Sequence, residues 1–130
     1  MEEELQALLE ANLSIPAQAI GWFTAPQGIG YPKVVLNIVA NAEGLVMNGP
    51  NGLHEGIAQI DVYSLDRADA KAVSRAIREL LHGYRGGGFS LIRHDRTRDT
   101  REGGSNEAER PYRVSMDFTY GWSANNASDS

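Results

Sequence analysis

Apolar residues recur along this chain with two periods. Leu5, Leu8, Leu9 and Leu13 fall three to four residues apart, which predicts a short amphipathic helix over 2–13, and its glutamate-rich first turn suits the helix dipole. A longer stripe of Ala68, Ala72, Val73, Ala76, Ile77, Leu80 and Leu81 predicts a second helix over 66–82, with Lys71, Ser74, Arg75, Arg78 and Glu79 on its wet side. Asp66 is placed to cap its start, and Gly83 to cap its end in the left-handed conformation.

Elsewhere the period is two. In residues 56–64, Ala58, Ile60 and Val62 face one way and Gln59, Asp61 and Tyr63 the other. In 110–122, Tyr112, Val114, Met116, Phe118 and Tyr120 alternate with Arg113, Ser115, Asp117 and Thr119. Residues 33–40 (KVVLNIVA) and 89–95 (FSLIRHD) complete the strand signals. The order is α-β-β-α-β-β. It predicts an α+β fold with a mainly antiparallel four-stranded sheet covered on one face by the helices, the other face wet or awaiting a partner.

Between these elements, residues 14–32 read as irregular, punctuated by Pro16, Pro26, Gly28, Gly30 and Pro32. Residues 41–55 form a long connection, and 97–109 a polar loop or arm. The chain reads as one domain over 1–122 with a disordered tail over 123–130.

Composition narrows the picture. At 130 residues and 42% apolar content, one conventional core is within reach. The absence of cysteine removes disulfides, thiolate metal sites and thiol nucleophiles. No apolar stretch is long enough for a membrane helix, and the acidic start has the wrong charge for a secretory signal, so a protein made in the cytoplasm is expected. A net charge of −5 argues against binding nucleic acid over the whole surface.

Gly86-Gly87-Gly88, flanked by arginines, invites comparison with a phosphate cradle. A P-loop, however, follows a strand and opens a helix. Here a helix precedes the glycines and a strand follows, so the negative end of the helix dipole faces them. A flexible turn is the better reading. Arg93, Arg96, Arg98 and Arg101 are interleaved with Asp95, Asp99 and Glu102, a nearly balanced segment that suits a solvated edge strand and loop with salt-screened pairs, with packing on a charged partner subunit as the alternative.

His54, His82 and His94 show no metal-ligand spacing, and His82 suits the end of its helix. Asp61 and Asp117 would form a carboxylate pair if their strands were neighbours, although no base or pocket accompanies them. Tyr63 and Trp122 suit either protein contacts or ordinary peripheral packing within the subunit. No catalytic, cofactor or metal residue is assigned.

The ordered set of motifs resembles the tail completion, or tail terminator, proteins of long-tailed phages. It is carried by the leading helix, APQGIGYPKVVL (25–36), HEGIAQIDVYSLD (54–66), a helix closing on LLHG (80–83) and YRVSMDFTY (112–120), in that order and spacing. The resemblance implies a non-enzymatic virion subunit at the head-proximal end of the tail. It would assemble as a homo-hexameric ring on the tail tube protein, stop tail polymerisation, join head-to-tail connector proteins and pass DNA without reading it. The loops 41–55 and 96–109 are then the candidate contact regions, with Asn48, Asn51, His54, Tyr63, Arg93, Arg96, Arg98 and Arg101 as candidate interface residues. The alternative is a small nucleic-acid-binding accessory protein using residues 93–101, whose affinity would fall steeply with salt.

Overall fold

The computed structural model describes residues 2–23, 32–40, 53–101 and 111–123. Helix α1 (Glu2–Asn12) leads through a 3-10 turn (Ala17–Ala19) into β1 (Ile20–Trp22). Strands β2 (Lys33–Ala40) and β3 (Leu53–Ser64), helix α2 (Arg67–Leu81), and strands β4 (Phe89–Arg101) and β5 (Tyr112–Ser123) follow. Among the described residues the sheet has five strands in the order β1-β2-β3-β5-β4, antiparallel except for the β1–β2 pair. The α+β class and the antiparallel character agree with the sequence pattern; the strand count does not.

The extra strand is β1, in a segment expected to be irregular. Three residues are too few to display a period. Ile20 pairs with Val34 and Trp22 with Leu36, parallel to β2.

The register explains the dry face. Val34, Val62 and Val114 line up across three strands; Leu36, Ile60 and Met116 form the next row, and Ile38, Ala58 and Phe118 the third. With β4, Ile92 joins Tyr120. Val34, Leu36, Ile60, Val62, Met116 and Phe118 are fully buried. From above come Leu5 and Leu9 of α1 and Ala70, Ile77 and Leu81 of α2.

Helix α2 is rotated from the face its alanines suggested. The buried line is Ala70, Ser74, Ile77 and Leu81, a spacing of four, three and four, whereas Ala68, Ala72 and Ala76 are exposed. Alanine is a strong helix former that tolerates either side. The large Ile77 and Leu81 set the rotation, and Ser74 fits the buried side because its hydroxyl donates to the Lys71 carbonyl. Asp66 caps the start, accepting from the Ala68 N–H at 2.8 Å. Gly83 follows His82 with φ +84, where the helix ends.

Strand β4 runs to Arg101, six residues beyond the expected end at 95, and takes up the first part of the supposed arm. Its charged composition hid it, since an edge strand tolerates polar residues on both faces. A bulge between His94 and Arg96 also breaks the alternation: Ile92 and His94 face the core, then Thr97 and Asp99 do, leaving Arg96 and Arg98 outside. The rest of that loop, most of 41–55 and the tail 124–130 lie outside the described residues; β5 itself includes Ser123.

The glycine run is a tight turn, closed by reciprocal backbone hydrogen bonds between Gly86 and Phe89. It also serves as a dock. The Glu4 carboxylate of α1 accepts the Gly88 N–H at 2.7 Å and the Trp122 indole N–H at 2.9 Å. A Cβ on Gly87, which sits at φ +52, would collide with Glu4, and one on Gly88 with the Trp122 indole. The glycines thus admit an anion after all, one supplied by the chain itself. Trp122, a sequence candidate for partner contacts, is instead half-buried and held from within. Trp22 makes a parallel contact, donating to Gln6 at 2.9 Å.

Two measurements check this account by denaturant unfolding. Phe118→Ala should cost about 3–5 kcal/mol, as truncation of a fully buried aromatic does. Glu4→Ala should cost about 2 kcal/mol, since two N–H donors lose a charged acceptor.

Candidate functional site

The helices cover one sheet face, so the opposite face is the larger surface on which candidate residues gather. Cross-strand pairing dictates its content. Lys33, Val35 and Asn37 come from β2; Glu55, Gln59, Asp61 and Tyr63 from β3; Arg113, Ser115, Asp117 and Thr119 from β5; Arg93, Arg96 and Arg98 from β4. Five of these described side chains are cationic and three acidic, the reverse of the chain's overall balance of −5. The sheet therefore concentrates positive charge on one side of an acidic protein.

Most of this charge is engaged laterally. Asp61 is 3% exposed. Its carboxylate accepts from Arg113 Nη2 at 3.1 Å and from the Gln59 amide at 3.0 and 3.1 Å. The Arg113 guanidinium also lies 6.0 Å from the Tyr63 ring, within range of a cation–π contact. On the adjoining strand β5, Asp117 sits between Arg96 Nε at 3.6 Å and Arg98 Nη2 at 3.5 Å, and Arg98 also reaches the Ser115 hydroxyl at 3.5 Å. Neighbouring strands do bring Asp61 and Asp117 close in register, as their spacing allowed. Each faces arginine rather than the other, so the two carboxylates form separate ion pairs and not one carboxylate pair.

The sequence candidates divide accordingly. Tyr63, Arg96 and Arg98 are gathered on the outer face in these ion-pair clusters, and Arg93 stands exposed on the same side. Arg101 closes β4, and His54 pairs with Trp122 through the backbone register. Asn48 and Asn51 lie outside the described residues. Sequence reasoning missed Arg113 as the partner of Asp61. Only the register, Tyr63 opposite Arg113 and Asp61 opposite Ser115, puts the two on one diagonal.

A second polar seam joins α2 to β4. Lys71 pairs with Asp99. At the helix end, the His94 N–H donates to His82 Nδ1 at 2.9 Å, and the His94 ring meets Phe118 edge-on at 5.5 Å. His82 thus contacts the adjoining strand rather than only its own helix terminus. Burial first, then the nearby Arg78 and His82, hold the His94 pKa below the usual histidine value of 6.5, while Asp95 and a hydrogen bond to the Arg96 backbone act in the opposite direction. Among the described residues no helix is long and apolar enough to cross a membrane.

Two comparisons bear on what such a surface is for. The model of the family described as Tail completion protein gp17 matches residues 3–121. Among solved structures, a chain from the virion of the native gene transfer agent particle superposes with a TM-score of 0.57 over 92% of this chain and 84% of its own, at 17% identity; that likeness speaks for the fold alone. No curated protein matches the chain by sequence.

Removing one partner of the half-buried Asp61–Arg113 pair should be costly. Asp61→Ala is expected to destabilise the fold by about 2–3 kcal/mol in denaturant unfolding, against under about 1 kcal/mol for Arg96→Ala in its looser, exposed pair. For His94, the unfolded chain holds the proton more readily than the folded one. Stability is then full above pH 6.5 and falls as the pH drops through it. Thermal melts from pH 7.5 to 5.5 should show this loss, and His94→Gln should reduce it.

Proposed function

Since the chain belongs to the tail completion protein gp17 family, and so to the tail of a virion, we propose that it caps the finished tail tube as a ring. In this role it ends tube polymerisation and presents the surface that head-to-tail connector proteins meet. The match over residues 3–121, nearly the whole chain, carries the proposal. The structure adds a physical reason for favouring assembly: a long edge strand and a positively biased sheet face on an acidic subunit, both suited to a charged neighbour. The subunit is homo-oligomeric in this reading, about six copies around a hole through which DNA passes without base readout. Its work is structural and calls for no catalysis.

The accessory nucleic-acid reading is weaker than its sequence suggested. It needs uncompensated cations along 93–101, whereas Arg96 and Arg98 both face Asp117, and Asp99 holds Lys71.

Mass in solution, measured by sedimentation over a range of concentrations with and without the tail tube protein, tests the ring. Growth toward a particle of about six subunits is the expected result. A strict monomer even with the tube protein present would remove the proposal.

A further inference from the structure

Above the seam between α2 and β4 lies an open groove. Its rim carries Lys71, Arg75 and Arg78 on one side and Thr97 on the other; Val114 and Met116 form its floor. The three cations recur at i, i+4 and i+7, so they share one flank of α2 over about 10.5 Å. Lys71 is paired with Asp99, but no ion pair engages Arg75 or Arg78 among the described residues. The field of Arg78 reaches far enough to depress His94. On a chain of net charge −5, two uncompensated arginines beside an apolar floor form a receptor for carboxylates.

The complementary surface is on the same protein. Helix α1 turns Glu3, Ala7 and Glu10 to solvent. Its two glutamates are seven residues apart, the same pitch as Lys71 to Arg78, and the small Ala7 between them permits close approach. Laid antiparallel, Glu3 meets the Arg78 end of α2 and Glu10 the Lys71 end, and the two helix dipoles oppose favourably. A nucleic-acid strand fits less well, because the floor offers its backbone only apolar surface.

We propose that the Lys71–Arg75–Arg78 groove of one subunit receives the Glu3–Ala7–Glu10 face of α1 from a second copy. Groove and helix are different surfaces, so the contact is head-to-tail and propagates, closing when the rotation per subunit allows. It deepens the ring reading and rests on it, by naming the two faces that meet.

The cysteine-free sequence makes the test direct. Single-cysteine variants Ala7→Cys and Arg75→Cys, mixed and oxidised with copper phenanthroline, should cross-link as a heterodimer. Leu65→Cys, at a site 48% exposed, should give only background with Ala7→Cys. In parallel, Arg75→Glu/Arg78→Glu should weaken self-association at low salt by about tenfold or more, and mixing with Glu3→Arg/Glu10→Arg should restore it. Circular dichroism and melting of each variant separate misfolding from lost contact. Absence of the specific cross-link overturns the proposal. If the charge-reversed protein still forms wild-type particles, this contact falls while the ring stands. If, without the cross-link, charge reversal instead abolishes salt-sensitive binding to a single-stranded oligonucleotide, the groove belongs to phosphate.

Discussion

Four long strands put their large apolar residues on the same side of one sheet, and among the described residues two α-helices dry it. The other features follow from that asymmetry. Val34, Val62 and Val114 run in one row, Leu36, Ile60 and Met116 in the next, so each strand's register is tied to its neighbour's; a slip of one residue would turn a whole row to water. The roof is thin. Leu5 and Leu9 are the buried leucines of α1, and α2 contributes Ile77 and Leu81. Its rotation toward Ala70 and Ser74 lets the helix settle closely on the strands, since small side chains shorten the distance between backbones.

The uncovered side solves a different problem. Its charged residues pair with one another across strands, and Asp61 is buried there on the face away from α1 and α2. Such pairs contribute little net stability, yet they fix side chains in place and leave a surface already ordered before a neighbour arrives. A subunit built to meet other proteins gains from this, because less side-chain freedom is lost on contact.

Much of the architecture was legible in the sequence because burial writes a clear period. The alternation in 56–64 and 112–120 gave strand faces that the register upholds, and Asp66 and Gly83 bounded α2 as their chemistry requires. What escaped notice lacks a period. Three residues of β1 are too short to show one, and the bulge at His94 inverts β4 halfway, so its second half read as a loop. Alanine misled the orientation of α2, being apolar enough to suggest a core face and small enough to do without one. The pairing of Asp61 with Arg113, 52 positions apart, was invisible until the strand order put them side by side. Family likeness reached the tail completion family and the virion; it could not assign residues to contacts.

The Glu4 clasp has a bearing on how the protein is made. Its carboxylate holds groups 84 and 118 positions further along the chain. During synthesis the first helix therefore emerges long before either partner exists, and its docking is among the last events, delayed until the final strand leaves the ribosome. Until then Leu5 and Leu9 have no sheet to cover and the acidic side of the helix has no fixed orientation. The placement of α1 that Trp122 helps to fix is therefore set only once β5 has been made.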